Sequence, residues 1–198
     1  MTSHIPSMSN PNVRDKLLAA GLETMHRHGF NGCSVQDITQ VANVPKGSFY
    51  NHFESKEALG AEVIDLYWQK AAASLRILSD EALPPLARLK RYFDALAELN
   101  SLSYEQGCLL GNFGAELSEQ SRLVRDRLSS LIAGWTRAIE CCVRDAQLAG
   151  EVRTDIDAAV LAAFLVNAWE GTVLRSKIDR DGRAIAQFST VVFSAILA

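Results

Sequence analysis

The sequence has few histidines, and all of them lie near its start. The four are His4, His26, His28 and His52 in a chain of 198 residues. Nucleophilic catalysis by cysteine or serine normally needs a base, most often an imidazole, and residues 53–198 contain none. No glycine-rich phosphate loop follows a strand pattern either. These absences argue against an enzyme.

Cysteine is also sparse, and its spacing shows no Cys-x-x-Cys pair. The four thiols, at Cys33, Cys108, Cys141 and Cys142, are expected to be reduced in a cytoplasmic chain. His26, His28 and Cys33 form a short cluster with metal-ligating chemistry. However, His26 and His28 are two apart on a helix and face different ways, and a basic side chain suits a helix end. We therefore expect no metal and no cofactor.

No apolar run approaches the about 20 residues that a membrane span needs. Residues 1–11 lack the charged and apolar regions of a secretory signal and are expected to form a disordered tail. Apolar residues make up 48% and charged residues 22%, as in ordinary globular proteins. The net charge is −3, with +1 in residues 1–53 and −4 in residues 54–198. Any nucleic-acid binding must therefore come from a few placed contacts.

Helical periodicity dominates the chain, and no strand alternation is visible, so the expected fold class is all-α. A small helix-turn-helix unit is predicted over residues 12–54 and a larger helical effector-binding and dimerisation domain over residues 55–198. Ser55, Ser118 and Asp155 are the expected N-caps of the longer helices. The predicted helices span residues 12–28, 35–42, 45–52, 55–79, 85–100, 104–117, 118–149, 156–178 and 182–197.

Residues 34–60 carry the most information. Ser34 and Asp37 suit the two ends of a capping box, and Asn43 suits a left-handed turn. Pro45 suits the first position of a second helix, in which Phe49 and Phe53 point inward. The outward face of this helix can bury little apolar area, but it is suited to contact phosphates and base edges in a major groove. The residues predicted to contact double-stranded DNA are Ser34, Gln36, Lys46, Gly47, Ser48, Tyr50, Asn51, His52 and Lys56.

The run PKGSFYNHFESKEAL resembles the recognition helix and the following helix start of the TetR family of bacterial transcriptional repressors. The resemblance spans residues 12–60 and departs from the family at Thr39, in place of alanine, and at Asn43, in place of glycine. It implies a one-component repressor that binds a palindromic operator as a homodimer and is released by a small molecule or a reactive electrophile. A helical protein-interaction module without operator binding is the alternative.

The segment 156–178 is apolar around nearly its whole circumference, so it needs cover on both sides. A second subunit would supply that cover, and the segments 156–178 and 182–197 resemble the intersubunit four-helix bundle of TetR proteins. A charge at Val192 or Phe193 is then expected to give monomers.

Large rings and a few polar groups in the body helices fit either a packed core or a small-molecule pocket. The residues predicted to bind or sense a ligand are Tyr92, Cys108, Asn112, Phe113, Glu116, Trp135, Asn167, Trp169 and Lys177, with Glu170 as a further polar group.

Cys108 follows Gly107 near a predicted helix start, where the helix dipole favours a lowered thiol pKa, and Lys177 is a candidate neighbour for the thiolate. The surrounding SYEQGCLLGNFGAEL is similar to the effector segment of NemR-like regulators, a TetR subgroup that responds to electrophiles. The alternative is a packing cysteine and a purely non-covalent inducer.

Overall fold

The computed structural model describes residues 12–198 and shows only helices and connecting turns over that range. The α-helices are α1 (Val13–His28), α2 (Val35–Val41), α3 (Lys56–Ala71), α4 (Pro85–Ser101), α5 (Leu109–Leu117), α6 (Arg122–Leu148), α7 (Ala158–Asp179) and α8 (Arg183–Val191). Two 3₁₀ helices cover Lys46–Asn51 and Ala72–Ser79, and a π-helical turn covers Val192–Ile196. The expected tail, residues 1–11, lies outside the described residues.

The helix-turn-helix begins as the sequence predicts. The Ser34 amide donates to Asp37 Oδ2 at 2.7 Å and the Asp37 amide donates to Ser34 Oγ at 3.2 Å, which completes the capping box. Asn43 adopts a left-handed conformation with φ of 53°. The second helix differs from the prediction, because Lys46–Asn51 is a 3₁₀ helix with Pro45 at its N-cap rather than inside it. At three residues per turn, its 6 residues make about two tight turns in place of the predicted α-helix.

Two predicted N-caps were wrong. Ser118 ends α5, and the chain turns once more before Ser121 Oγ accepts a hydrogen bond from the Val124 amide at the start of α6. Asp155 is held by the guanidinium of Arg153 through two 2.6 Å hydrogen bonds. The cap of α7 is instead Asp157.

The core consists of two clusters of buried side chains. The head cluster joins α1, α2 and α3 to buried residues of α5 and α6, among them Leu109, Phe113 and Leu128. The body cluster joins α4, α6, α7 and α8. Helix α5 therefore packs with the head although it follows α4 in the chain, and the division at residues 54 and 55 stays a prediction.

Helix α7 buries one face and exposes another. Its buried face packs in the body cluster through residues such as Leu161, Leu165 and Val173. Its length and composition would also allow a membrane span, which is weak evidence for a single helix whose buried face packs in the body cluster. The opposite face carries a stripe repeating every three to four residues, which we call the α7 stripe: Val160, Phe164, Asn167, Gly171, Leu174 and Ile178, all exposed. This spacing is the one found along helix–helix seams.

Candidate DNA-reading surface and effector cavity

The 3₁₀ helix Lys46–Asn51 presents a polar face outward and anchors itself with Phe49. The Phe49 ring is fully buried against Phe53, with centroids 5.7 Å apart. Tyr50 is 61% exposed, and no atom of residues 12–198 lies within 4 Å of the position where a Cβ of Gly47 would stand. Ser48 is half-buried, while the remaining predicted contacts on this face and at the start of α2 are exposed: Ser34, Gln36, Lys46, Gly47, Asn51 and His52.

Lys56 differs from this pattern. Its ammonium donates to the carbonyl oxygens of Phe30 and Cys33, both at 2.8 Å, and lies 4.2 Å from the centroid of the Phe30 ring. Lys56 was predicted only as a DNA contact, and these bonds give it a packing role as well. Two of its three N–H donors are engaged inside the head, and a phosphate contact by the third stays a prediction.

A cavity of about 330 Å³ lies between the head helix α1 and the body helices. Its walls contain every tryptophan of the chain, at Trp68, Trp135 and Trp169. Among the predicted ligand-binding residues, Tyr92, Cys108, Trp135 and Trp169 line it, as does Glu170. Sequence reasoning missed Leu22, His26, Tyr67, Trp68 and Asn100, because helical spacing does not reveal which helices face one another.

The other predicted pocket residues lie elsewhere. Phe113 is buried in the head cluster with its ring edge against Phe30, 5.9 Å between centroids. Glu116 accepts hydrogen bonds from the backbone amides of Phe30 at 3.2 Å and Asn31 at 2.7 Å. Asn167 lies on the exposed α7 stripe. None of these three side chains lines the cavity, because Phe113 and Glu116 contact the head around Phe30 and Asn167 is exposed.

A second, smaller cleft of about 200 Å³ adjoins the cavity between α5 and α7. Lys177 Nζ donates to Asn112 Oδ1 at 3.0 Å there, and Asn112 Nδ2 donates to the Gln106 carbonyl at 2.8 Å. Cys108 and Glu170 line both spaces, so they stand in the partition between the cavity and the cleft.

Cys108 is the N-cap of α5, as its position suggested, but its pKa moves the opposite way from the expectation. Burial raises the pKa of the thiol well above its usual range, and the neighbouring Glu170 carboxylate raises it further. Hydrogen bonds from the α5 amides of Gly111 and Leu110 lower it, but by less. Desolvation therefore outweighs the helix terminus. The Tyr67 hydroxyl also lies 3.9 Å from the sulfur, in hydrogen-bonding geometry.

Glu170 is the main acidic group of the cavity wall. Burial raises the pKa of its carboxyl group. The carboxylate fits because residue 111 is glycine, since a Cβ there would lie 2.5 Å from Glu170 Oε2. Among the described residues, Glu170 Oε1 has no hydrogen-bond partner. The cavity thus combines aromatic walls with a single buried carboxyl group, a pattern typical of small-molecule sites.

His26 brings the head into the same cavity. Its Nε2 donates to the Gly107 carbonyl at 2.9 Å, and its ring packs edge-on against Tyr67 with centroids 5.3 Å apart. Burial lowers the pKa of His26 more than the Gly107 hydrogen bond raises it, and Lys177 lowers it further. The imidazole is therefore neutral near pH 7, with its proton on Nε2.

Comparison with known proteins decides the family. Residues 17–63 match the model described as bacterial regulatory proteins, tetR family, and residues 85–192 match the tetracyclin repressor-like C-terminal domain. The chain belongs to the TetR family. The curated repressor DhaR of Mycobacterium sp. (strain GP1) is 41% identical over 191 residues, covering 96% of this chain and 95% of DhaR. The regulator AcuR of Cereibacter sphaeroides is 36% identical over 170 residues, covering 84% of this chain and 77% of AcuR.

Solved structures agree with this TetR-family assignment. The regulatory protein TetR from Rhodobacter sphaeroides superposes with a TM-score of 0.84 at 32% identity, covering 90% of this chain and 96% of that one. The reduced form of Escherichia coli NemR gives a TM-score of 0.82 at 26% identity, covering 94% and 97%. The predictions of an all-α fold and of a helix-turn-helix transcriptional repressor rather than an enzyme are confirmed. TetR regulators bind operators as dimers and respond to small-molecule effectors.

Proposed function

We propose that this TetR-family repressor is a cytoplasmic homodimer, released from a palindromic operator when a small, mostly apolar molecule fills the cavity. The observation that carries the proposal is the position of the cavity. It is lined by body residues such as Trp135 and Trp169 and also by Leu22 and His26 of the DNA-binding head. A molecule bound there contacts both the body and the head. The position of the head relative to the body decides whether the two heads of a dimer fit one operator.

The homodimer is supported by the α7 stripe. Its apolar members, among them Phe164, Leu174 and Ile178, are exposed in the single chain. A contiguous apolar stripe on a soluble protein is a typical interaction surface. A second copy packed against α7 through the same stripe would form a closed twofold interface. Gly171 lies at the middle of the stripe, and no atom of the described part of the chain is within 4 Å of its Cβ position, which permits close approach of a partner helix.

The walls of the cavity indicate the chemistry of the effector. Its volume lies at the small end of the range for ligand sites. Rings of Tyr67, Trp68, Tyr92, Trp135 and Trp169 favour a flat or compact apolar body. Burying a charged molecule among them would cost more free energy than an uncharged one. The Glu170 carboxyl group can pair with one hydroxyl or N–H group of such a molecule.

Covalent capture of an electrophile by Cys108 is the second candidate. It is supported by the position of Cys108 in the partition between cavity and cleft, with Lys177 across from Gly107 in the cleft. A Cβ at residue 107 would lie 3.0 Å from Lys177 Cδ. The raised pKa of the thiol leaves little thiolate near pH 7, which makes this reaction slow. Non-covalent binding is therefore the preferred mechanism.

Tryptophan fluorescence gives a direct test, because every tryptophan of the chain lines the cavity. Uncharged probes such as benzyl alcohol and the electrophile methyl vinyl ketone are titrated into the protein, and operator binding is followed by anisotropy of labelled DNA. We expect benzyl alcohol to change the fluorescence of the wild type and of Cys108→Ser alike, and to weaken operator binding of both. Since an effector must bind the released state more tightly, occupancy and release should rise together.

Release of the wild type by methyl vinyl ketone alone, lost in Cys108→Ser, would favour covalent capture instead. Release without any change in tryptophan fluorescence would place the effector outside the cavity and contradict the proposal.

A further inference from the structure

We infer that the effector acts on the DNA-binding head directly, through His26, and that this side chain couples cavity occupancy to operator release. The inference rests on the proposed function of the cavity. Without such a residue in the head, the body helices alone would have to couple cavity occupancy to operator release.

The His26 ring occupies a position shared by the head and the cavity. His26 lies in the last turn of α1, a helix of the head, yet its side chain reaches into the cavity wall. There it packs against Tyr67 and donates to the carbonyl of Gly107, the residue before Cys108. An occupant that needs the space of the imidazole must move α1 away from residue 107 or break this hydrogen bond.

The turn between α1 and α2 connects His26 to the DNA-reading surface. From His28 the chain reaches Ser34 and the capping box of α2 within a few residues. Lys56 holds the carbonyls of Phe30 and Cys33, and Glu116 holds the amides of Phe30 and Asn31. Lys56 therefore ties the turn to α3, and Glu116 gives it one attachment point on α5, so a displacement at the end of α1 carries the helix-turn-helix with it.

Helix α1 and the turn that follows it are joined to the region around α5 by polar contacts at two places. One, His26 to Gly107, lies in the cavity wall, and the other, Glu116 to Asn31, lies outside it. An occupant can disturb the first while the second persists. The head then turns about the Glu116 attachment instead of detaching, which is the type of rigid-body motion that alters the separation of two heads.

The experiment measures a coupling ratio, defined as the operator Kd with saturating benzyl alcohol divided by the operator Kd without it. The ratio cancels any effect of a variant on operator affinity itself, and values of about 5 to 150 are typical of coupled sites. Tryptophan fluorescence confirms saturation in each variant. His26→Gln keeps an N–H donor for Gly107 but replaces the ring by a flexible chain. His28→Gln is the matched control, since it makes the same substitution at an exposed histidine in the last turn of α1 that does not line the cavity.

We expect His26→Gln to bind benzyl alcohol but to show a coupling ratio within about threefold of one, while His28→Gln keeps at least half of the wild-type ratio. His26→Phe retains a ring, so it should recover most of the coupling that His26→Gln loses. A wild-type ratio in His26→Gln would overturn the inference and leave the proposed function intact. Absence of any fluorescence change in the wild type would instead count against the cavity as an effector site.

Discussion

Lys56 contacts both the backbone and the side chain of Phe30: its ammonium donates to the Phe30 carbonyl at 2.8 Å and lies 4.2 Å from the centroid of the Phe30 ring. The same ammonium reaches the Cys33 carbonyl at 2.8 Å. A cation at the start of α3 thus fixes the turn between α1 and α2. This geometry gives Lys56 a role in stability before any contact with DNA is considered.

We predict that Lys56→Met destabilises the fold by about 1–3 kcal/mol, since two hydrogen bonds from a charged donor and a cation–π contact are lost together. For a protein of this size the melting temperature should fall by roughly 2–10 °C in a thermal scan. Lys46→Met is the matched control, because Lys46 is exposed and should change stability by less than about 0.5 kcal/mol. Equal melting temperatures for the two variants would show that the Phe30 contact contributes nothing.

Operator binding should depend on Lys46 through phosphate charge. Each phosphate contact contributes about 0.9 to the slope of log affinity against log salt, so Lys46→Ala should flatten the slope by about two for a two-headed dimer. Anisotropy titrations at several salt concentrations measure this. Lys90→Ala is the control, since Lys90 pairs with Asp94 on the body, and its slope should equal that of the wild type. An unchanged slope for Lys46→Ala would remove Lys46 from the DNA-reading surface.

The head could be predicted from sequence in detail because its signals are local. The Ser34–Asp37 capping box needs only residues three apart, and the left-handed turn at Asn43 needs only one residue of suitable type. The N-cap predictions were wrong where two residues suited to an N-cap lay close together in the sequence. Ser118 and Ser121 are equally good N-caps by type, and the extra turn at the end of α5 decided between them.

The cavity was harder to predict because it depends on contacts between distant segments. Tyr92, Trp135 and Trp169 were found because large rings on body helices tend to meet. Glu116 was misplaced because its partners, the amides of Phe30 and Asn31, lie some 85 residues away in the chain. The pKa of Cys108 was predicted in the wrong direction because a helix start is visible in the sequence, whereas burial is not.

Dimerisation should depend on Phe164 rather than on Val192. Phe164 is 46% exposed on the α7 stripe, so Phe164→Glu should keep its helical circular dichroism and sediment as a monomer at micromolar concentration. Operator affinity should collapse with it, because one head loses the effective concentration supplied by the other. Val192 is 2% exposed inside the body cluster, so a charge there acts on the core rather than on an exposed surface. Val192→Glu should instead unfold the body, since it buries an unpaired charge.

A dimeric Phe164→Glu protein would contradict this interface. Thr172→Glu is a useful second control, since Thr172 lies on α7 outside the stripe and is half-buried, with its hydroxyl bonded to the Ala168 carbonyl. Thr172→Glu should therefore give no folded monomer, unlike Phe164→Glu.

Thiol reactivity should follow burial rather than helix position. N-ethylmaleimide should modify the exposed Cys141 first and Cys108 much more slowly, as measured by peptide mass spectrometry over time. Because the pKa of Cys108 is raised, little of this thiol is ionised at the pH where an ordinary thiol begins to ionise. Its rate should therefore keep rising by about tenfold per pH unit beyond pH 8.5, where the rate of an ordinary thiol levels off. Glu170→Gln removes the neighbouring negative charge that raises the pKa and should accelerate the reaction, whereas Glu116→Gln should not. Faster modification of Cys108 than of Cys141 near pH 7 would mean that the thiol is activated, and covalent capture would then become the preferred mechanism of release.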